Sequence, residues 1–280
     1  MTAITDLLHR LDACYDAIPR VAGARVEHLG PFVLFVREPP GWPYYARPRP
    51  GVASAEVSDV EAVRARQRAL AAPEAFEWVH EVAPDVLAAV AASGLEVLQA
   101  PLMVLDPSRL PAVGGDVALL DPDAPDFAEA HAISSAVARI GFGPSSGEPP
   151  AGPAERDAAV ATPDPAAVAL VAAGIRAGRS AQAVLRTSGE GPGDGPQAGI
   201  VARGALQRAN GAAEIVGVAT LPSARRLGYG AAVSAALARH ALDAGDDLVF
   251  LSAASEDVAR VYARIGFHRV GTACIAGPPS

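Results

Sequence analysis

The stretch EIVGVATLPSARRLGYGAAV, residues 214–233, decides the fold. It starts with residues typical of a strand, passes through a turn that contains proline, and ends in a helix that we expect to reach about residue 244. Gly228 and Gly230 lie two residues apart at the helix entrance, where they leave consecutive backbone N–H groups bare beside the positive end of the helix dipole. The turn is therefore a candidate pyrophosphate site. The alternative is an ordinary strand-to-helix turn in which the glycines only save space.

The positive charge near this turn comes from arginine alone. Arg225 and Arg226 precede the glycines, and all 23 basic residues of the chain are arginine. The absence of lysine excludes a Walker P-loop, a Schiff-base lysine and attachment of pyridoxal phosphate.

Length, charge and cysteine content restrict the class of protein. A chain of 280 residues, half of them hydrophobic, is long enough for two domains. The net charge of −8 argues against a nucleic-acid partner, and we expect no membrane span because no apolar segment is long enough. Cys14 and Cys274 are too few for a disulfide framework and lack the spacing of a metal site. We therefore expect a cytoplasmic protein without a bound metal.

The stretch 106–116, with two prolines and two glycines, is the most linker-like part of the chain. We place the domain boundary there, which gives a first domain over 1–110 and a second over 116–280. Helices are predicted over 5–18, 58–71, 84–93, 127–140, 166–177 and from the glycine turn to 244. Strands are predicted over 25–37, 44–47, 76–82, 95–105, 117–120, 181–186, 198–206, 213–221 and 248–252. A long loop is predicted over 141–165, and turns over 39–43, 188–196 and 210–211. The pattern indicates an α/β (α+β) fold.

The turn resembles a signature of the GNAT superfamily of N-acetyltransferases. Arg225-x-x-Gly228-x-Gly230 matches the family's Gln/Arg-x-x-Gly-x-Gly/Ala motif. The preceding Val218-x-Thr220-x-Pro222 is similar to the family's fourth strand.

A second segment, residues 255–267, resembles the family's Asn-x-x-Ala-x-x-x-Tyr-x-x-x-Gly-Phe motif. Tyr262, Gly266 and Phe267 match it, whereas Ser255 and Val258 stand where asparagine and alanine are usual. The resemblance therefore leaves open whether Ser255 makes the coenzyme contact that the asparagine makes in relatives. The resemblance covers about residues 116–276.

The resemblance implies a coenzyme site for acetyl-CoA. The pantetheine arm would pair with the exposed edge of the fourth strand, and the pyrophosphate would bind the amides of residues 226–231. The implied cofactor-binding residues are Val218, Ala219, Thr220, Arg225, Arg226, Leu227, Gly228, Tyr229, Gly230, Ala231 and Ser255.

Two catalytic residues are also implied. By similarity, Tyr262 would protonate the leaving thiolate; its alternative is a tyrosine that packs beside Phe267. Glu214 lies eleven residues before Arg225, the spacing of the general base in histone-type members of the superfamily. A carboxylate on a half-buried strand could accept a proton through water, and its alternative is a solvated charge at a strand end.

The first half of the chain repeats part of this pattern. Residues 85–95, DVLAAVAASGL, share Asp, Val, Ala and Gly at the same offsets with residues 257–267, DVARVYARIGF. Val90 takes the place of Tyr262, and the first half has no Arg-x-x-Gly-x-Gly turn. This predicts a shortened GNAT-like domain that has lost coenzyme binding, unless two short alanine-rich helices match by chance.

The sequence therefore predicts a GNAT-type mixed central sheet flanked by helices, preceded by a smaller αβ GNAT-like domain. The expected activity is direct transfer of an acetyl group from acetyl-CoA to a primary amine of a small molecule in a ternary complex. Two alternatives stay open: a non-catalytic acyl-CoA sensor or structural module, and a protein N-acetyltransferase. A homodimer is compatible with the sequence.

Overall fold

The protein forms two compact units. The computed structural model describes residues 3–37, 44–143, 150–188 and 199–279. Unit 1 consists of Met1–Val104, Phe250–Ala263 and Phe267–Ser280, and unit 2 consists of Leu105–Val249 and Arg264–Gly266. The last strands of the chain therefore pack with the N-terminal unit. These packing units are not the same as the predicted sequence domains, 1–110 and 116–280, which remain a proposal.

Unit 1 contains three N-terminal helices, α1 (Ala3–Val21), α2 (Val57–Ala69) and α3 (Val86–Ala92), and a helix near the C-terminus, α8 (Glu256–Ala263). Its strands are β1 (Arg25–Leu29), β2 (Phe32–Val36), β3 (Ala46–Pro48), β4 (Phe76–Val79), β5 (Glu96–Leu105), β10 (Leu248–Ser252) and β11 (Phe267–Gly277). Of these strands, Leu105 of β5 and Leu248 and Val249 of β10 fall in unit 2. They lie in the order β1-β2-β3-β4-β11-β5-β10. The β3–β4 pair is parallel and the β1–β2, β2–β3, β4–β11 and β5–β10 pairs are antiparallel, so the sheet is mixed.

The core of unit 1 forms where the apolar faces of α2 and α3 cover the sheet. Phe32, Phe76 and Trp78 are almost fully buried there, and the rings of Phe32 and Phe76 pack edge to face with centroids 5.4 Å apart. Such pairs add to the free energy of burial. The predicted helices and strands of this half are present, with ends that differ by a few residues, except over 25–37. The single strand predicted there is wrong, because the chain turns at Gly30, with φ of 55°, and forms the antiparallel hairpin of β1 and β2. The predicted turn over 39–43 lies outside the described residues.

Two strand–helix–strand segments of unit 1 occupy equivalent places. The first is β4-α3-β5 and the second is β10-α8-β11, and the central strand order β4-β11-β5-β10 alternates between them. The residues after their helices, Gly94 and Gly266, both have positive φ, 86° and 100°. Read from the other end, the order is β10-β5-β11-β4, so each strand of one segment takes the place of the matching strand of the other. This symmetry is expected of a repeated unit.

Unit 2 contains α4 (Phe127–Phe142), α5 (Pro153–Ala159), α6 (Pro165–Arg176) and α7 (Tyr229–Asp243). Its antiparallel strands are β6 (Val117–Leu119), β7 (Ser180–Thr187), β8 (Gly199–Ala209) and β9 (Ala212–Thr220), in the order β6-β7-β8-β9. Two short 3-10 helices, Pro107–Arg109 and Pro222–Ala224, complete the elements found in the described residues. The turn at Asn210 and Gly211, with φ of 56° and 73°, joins β8 to β9 as predicted.

One predicted loop is partly helical. The sequence predicts a loop over 141–165, but α5 lies within it, and residues 144–149 lie outside the described residues. Gly152 precedes the helix, Pro153 opens it, and the Glu155 carboxylate accepts a hydrogen bond from the Gly152 N–H at 2.7 Å. These are helix-start signals that the surrounding Gly- and Pro-rich composition obscures. Most of the predicted turn over 188–196 also lies outside the described residues.

The expected fold class, a mixed sheet flanked by helices, is confirmed. Within the described ranges, no helix combines the length and apolar character needed to cross a bilayer.

Candidate active site

The first turn of α7 presents an array of unpaired amides. Gly228 is the N-cap residue with φ of 82°, and Arg226 also has positive φ, 68°. The first N–H groups of any helix lack partners within the helix. In the described part of the chain, no acceptor is bonded to the backbone N–H groups of residues 226–231; the next amide, of Ala232, donates to the Gly228 carbonyl. The turn is therefore a concave set of donors at the positive end of the helix dipole.

This turn lies directly beside the end of β9. A Cβ built on Gly230 would be 3.6 Å from both Thr220 Oγ1 and Val218 Cγ1. Ala219 is buried and turned to the other face of the strand, where a Cβ on Gly141 of α4 would meet it at 2.9 Å. The structure thus brings together the amide turn and the strand residues predicted from the sequence.

The two arginines of the turn differ in their contacts. Arg225 donates from Nη2 to the Gly141 carbonyl at 2.8 Å, so its side chain ties the end of α4 to the turn. Arg226 and Leu227 are exposed, the latter to 61%. Tyr229 and Ala231 are half-buried in the first turn of α7.

A β-bulge interrupts β9 just before Val218. Arg203 of β8 lies opposite Ala219 and Ala205 lies opposite Val216, so two residues of β9 face the single Gly204. Gly217 has φ of 60°, the left-handed conformation typical of the first bulge residue. Bulges change the direction of a strand and interrupt its pairing.

Arg203 closes this bulge from the neighbouring strand. Its Nη1 donates to the Gly217 carbonyl at 2.9 Å, and its Nε donates to Ser134 Oγ of α4 at 3.1 Å. Burial lowers the pKa of Arg203 to about 10. Arg203, Ser134 and Gly217 are not among the site residues predicted from the sequence. An isolated glycine within a strand pattern is a known signal of a bulge, whereas nothing in the sequence shows that the arginine is buried.

Glu214 is buried in β9, with 7% of its surface exposed, and lies opposite Gln207 of β8. It is therefore not a solvated charge at a strand end.

Ser255 and Tyr262 belong to unit 1. Ser255 Oγ accepts a hydrogen bond from the Val258 N–H at 3.3 Å, so the hydroxyl caps the start of α8. The Tyr262 ring is half-buried and packs edge to face against Phe267, with centroids 6.0 Å apart. The packing alternative is thus present in the structure.

Among the described residues, no group of three or more His, Cys, Asp or Glu side chains is arranged to hold a metal ion. Both cysteines are buried, and they form no disulfide with each other.

Comparisons with known proteins identify the class of fold. Residues 198–275 match the model of the FR47-like protein family, which is related to the GNAT superfamily. No curated protein sequence matches the chain.

Several solved structures resemble the whole chain. A GCN5-related N-acetyltransferase from Kribbella flavida aligns with a TM-score of 0.67 and 22% identity over 98% of this chain and 96% of its own. A GCN5-related N-acetyltransferase from Sphaerobacter thermophilus aligns with a TM-score of 0.52 and 16% identity over 98% and 93%. A GNAT-family protein from Novosphingobium aromaticivorans, described as a putative acetyltransferase, aligns with a TM-score of 0.50 and 18% identity over 94% and 95%. The predicted resemblance to the GNAT superfamily is confirmed, and the chain has the GNAT fold.

Proposed function

We propose that the chain is an acetyl-CoA-dependent N-acetyltransferase that transfers the acetyl group to a primary amine of a small molecule. The observation that carries this proposal is the array of unpaired amides over residues 226–231, set beside the end of β9. A fold hosts many functions, so the proposal rests on this local geometry together with the GNAT fold.

The amide turn suits a diphosphate without lysine. Convergent N–H groups at a helix start bind phosphate oxygens directly, and the helix dipole adds to the attraction. The exposed guanidinium of Arg226 adds a positive charge beside the turn. We propose that the coenzyme diphosphate binds the amides of residues 226–231 and that the pantetheine arm follows Val218, Ala219 and Thr220.

The bulge at Gly217 gives β9 an irregular backbone where the acyl group would lie. Acetyl transfer needs the amine and the thioester in near-attack geometry and a donor for the developing oxyanion. We propose the backbone amide of Val218, the residue that follows Gly217 in the bulge, as this donor. The amine nitrogen bonds to the acetyl carbon as the carbon–sulfur bond breaks.

The residues proposed for the two proton transfers are taken from the resemblance to the GNAT superfamily. We propose that Glu214, a buried carboxylate of β9, accepts the proton of the attacking amine through water. We propose that Tyr262 protonates the leaving thiolate. No step of this direct transfer requires a metal.

The N-terminal part, with the C-terminal strands that join it, is proposed to be a degenerate second GNAT-like unit. The repeated strand–helix–strand segments and the glycines at equivalent positions support a duplication. The replacement of Tyr262 by Val90 in the repeat supports the loss of catalysis there.

Calorimetry with acetyl-CoA, followed by a free-thiol assay over a panel of small amines and peptides, tests the proposal. We expect saturable binding and amine-dependent thiol release. Binding without thiol release would indicate an acyl-CoA sensor, and release with peptides only would indicate a protein acetyltransferase. Absence of coenzyme binding at millimolar concentration would refute all three.

A further inference from the structure

Arg203 is a half-buried arginine with an unusual set of partners. Its hydrogen bonds go to a neutral hydroxyl and a carbonyl, Ser134 Oγ and Gly217 O, and it forms no ion pair with the residues that the structure describes. Other arginines with little exposed surface have a carboxylate: Arg47 contacts Asp12, Arg156 lies 2.8 Å from Asp157, and Arg208 lies 2.7 Å from Asp246.

The missing carboxylate is unfavourable for the protein alone. Taking a guanidinium partly out of water costs free energy, which a counter-charge would offset. The lowered pKa of Arg203 has burial as its cause, with no carboxylate acting in the opposite direction. An anionic ligand would supply the missing charge.

The guanidinium has donors left for such a ligand. An arginine has five N–H groups, and the described chain accepts from two of them, one on Nε and one on Nη1. Nη2 makes no hydrogen bond in the described part of the chain, and it is not among the buried polar atoms that lack a partner, so solvent reaches this edge. Two N–H groups on one edge of arginine match the two oxygens of a carboxylate.

The bulge fixes the position of this edge. A Cβ on Gly217 would lie 2.6 Å from Arg203 Nη1, so the glycine allows the close approach of the guanidinium. The same side chain therefore contacts the residue immediately before Val218, whose amide is proposed to face the acyl group.

We propose that Arg203 binds a carboxylate of the acceptor, so that the substrate class is amines that carry a carboxylate close to the amino group, such as α-amino acids. This inference rests on the proposed function and names the acceptor of the same site. A carboxylate on Arg203 would hold an amino group one carbon away next to the bulge. Arg203 is thus a specificity-determining residue.

The test compares matched amines that differ only in the carboxylate. Amino acids, their methyl esters and the corresponding decarboxylated amines are assayed for thiol release. Esterification lowers the pKa of the amine and increases its free-base fraction, so a preference for the acid cannot come from amine reactivity. We expect the wild-type protein to favour the acid over the ester by about 10- to 100-fold in kcat/KM, the range typical of a charge-assisted hydrogen bond.

Three variants separate binding from structure. Arg203→Gln should bring the acid-to-ester ratio close to one, and Arg203→Lys, which keeps the charge on a single donor group, should reduce the ratio less. Arg208→Gln is the matched control, because it removes an arginine of the same strand that has its own carboxylate. It should leave the ratio unchanged. Melting temperatures show whether each variant is folded. If Arg203→Gln does not fold, the acid-to-ester ratio of Arg203→Lys is compared with that of the wild type instead.

A second readout does not depend on turnover. Calorimetry measures the binding of N-acetylated amino acids, which carry the same carboxylate as the acceptor, against that of their methyl esters. A preference for the acid that Arg203→Gln removes would support the inference even without thiol release. Three outcomes would overturn it: no preference for the acid in either readout, a preference that survives in Arg203→Gln, or an equal loss for acids and esters, which would make Arg203 a purely structural residue. Failure of the proposed function is distinct, because it abolishes acetyl-CoA binding or thiol release with every amine.

Discussion

Gly230 lies against Thr220: a Cβ on the glycine would be 3.6 Å from the threonine Oγ1, an ordinary van der Waals distance. The first turn of α7 and the end of β9 are therefore in direct contact. One ligand can bind both, with its phosphates on the helix start and its extended arm along the strand. This contact is the basis of the coenzyme site proposed above.

Gly228→Ala should weaken acetyl-CoA binding about tenfold. The residue has φ of 82°, a conformation that costs an alanine about 1–2 kcal/mol, and relief of this strain would turn the neighbouring amides away from the diphosphate. Calorimetry measures the effect. Gly245→Ala is the matched control: it follows the same helix, has φ of 92°, and like Gly228 has open space around its Cβ position. It should lower stability by a similar amount and leave Kd unchanged; equal losses of affinity would argue against the amide site.

Tyr262→Phe should reduce kcat about 100-fold and leave the Kd for acetyl-CoA unchanged. The substitution removes only the hydroxyl, and the ring contact with Phe267 can persist. Steady-state kinetics with calorimetry separates the two effects. Tyr44→Phe removes another phenol hydroxyl from unit 1 as a control. An unchanged kcat in Tyr262→Phe would leave the tyrosine with a packing role alone.

Glu214→Gln should lower kcat/KM about 100-fold and remove the decline in rate at acidic pH that protonation of the carboxylate causes. Glutamine keeps the size of the side chain at this buried position opposite Gln207. A pH–rate profile of both proteins is the measurement. If the acidic limb persists in the variant, another group is the base.

Stability should fall as the pH rises through the titration of Glu77. Burial raises the pKa of Glu77 from its ordinary value of 4.5 to about 7, although Arg47 and Tyr45 act in the opposite direction. The folded state therefore binds the proton more tightly than the unfolded state. Its contribution to stability is complete below pH 4.5 and is lost as the pH rises through 7.

Urea unfolding at a series of pH values from 4.5 to 8 tests this dependence. Glu77→Gln, which cannot ionise, should reduce the loss of stability over this interval. Identical pH profiles for variant and wild type would show that Glu77 does not titrate there.

Local patterns predicted most elements and the amide turn. Apolar periodicity located α1, and the spacing of Gly228 and Gly230 located the start of α7, whose amides are unpaired in the structure. Such features depend on neighbouring residues and are therefore visible in a single sequence.

The features that the sequence did not reveal depend on distant contacts. β11 lies between β4 and β5, strands that precede it by more than 150 residues, and no local pattern specifies this pairing. Arg203 is an ordinary polar residue in a strand pattern, and its burial follows from the positions of α4 and of the bulge at Gly217. The positive φ of Arg226 was also unexpected, because glycine is the residue that usually adopts it.

The most direct test of the account is a titration of isotope-labelled protein with acetyl-CoA, followed through backbone amide resonances. We expect the amides of residues 226–231 to show the largest saturable shifts, because their N–H groups would exchange water for phosphate oxygens. Saturation with shifts only elsewhere, or no shifts at millimolar acetyl-CoA, would contradict the account.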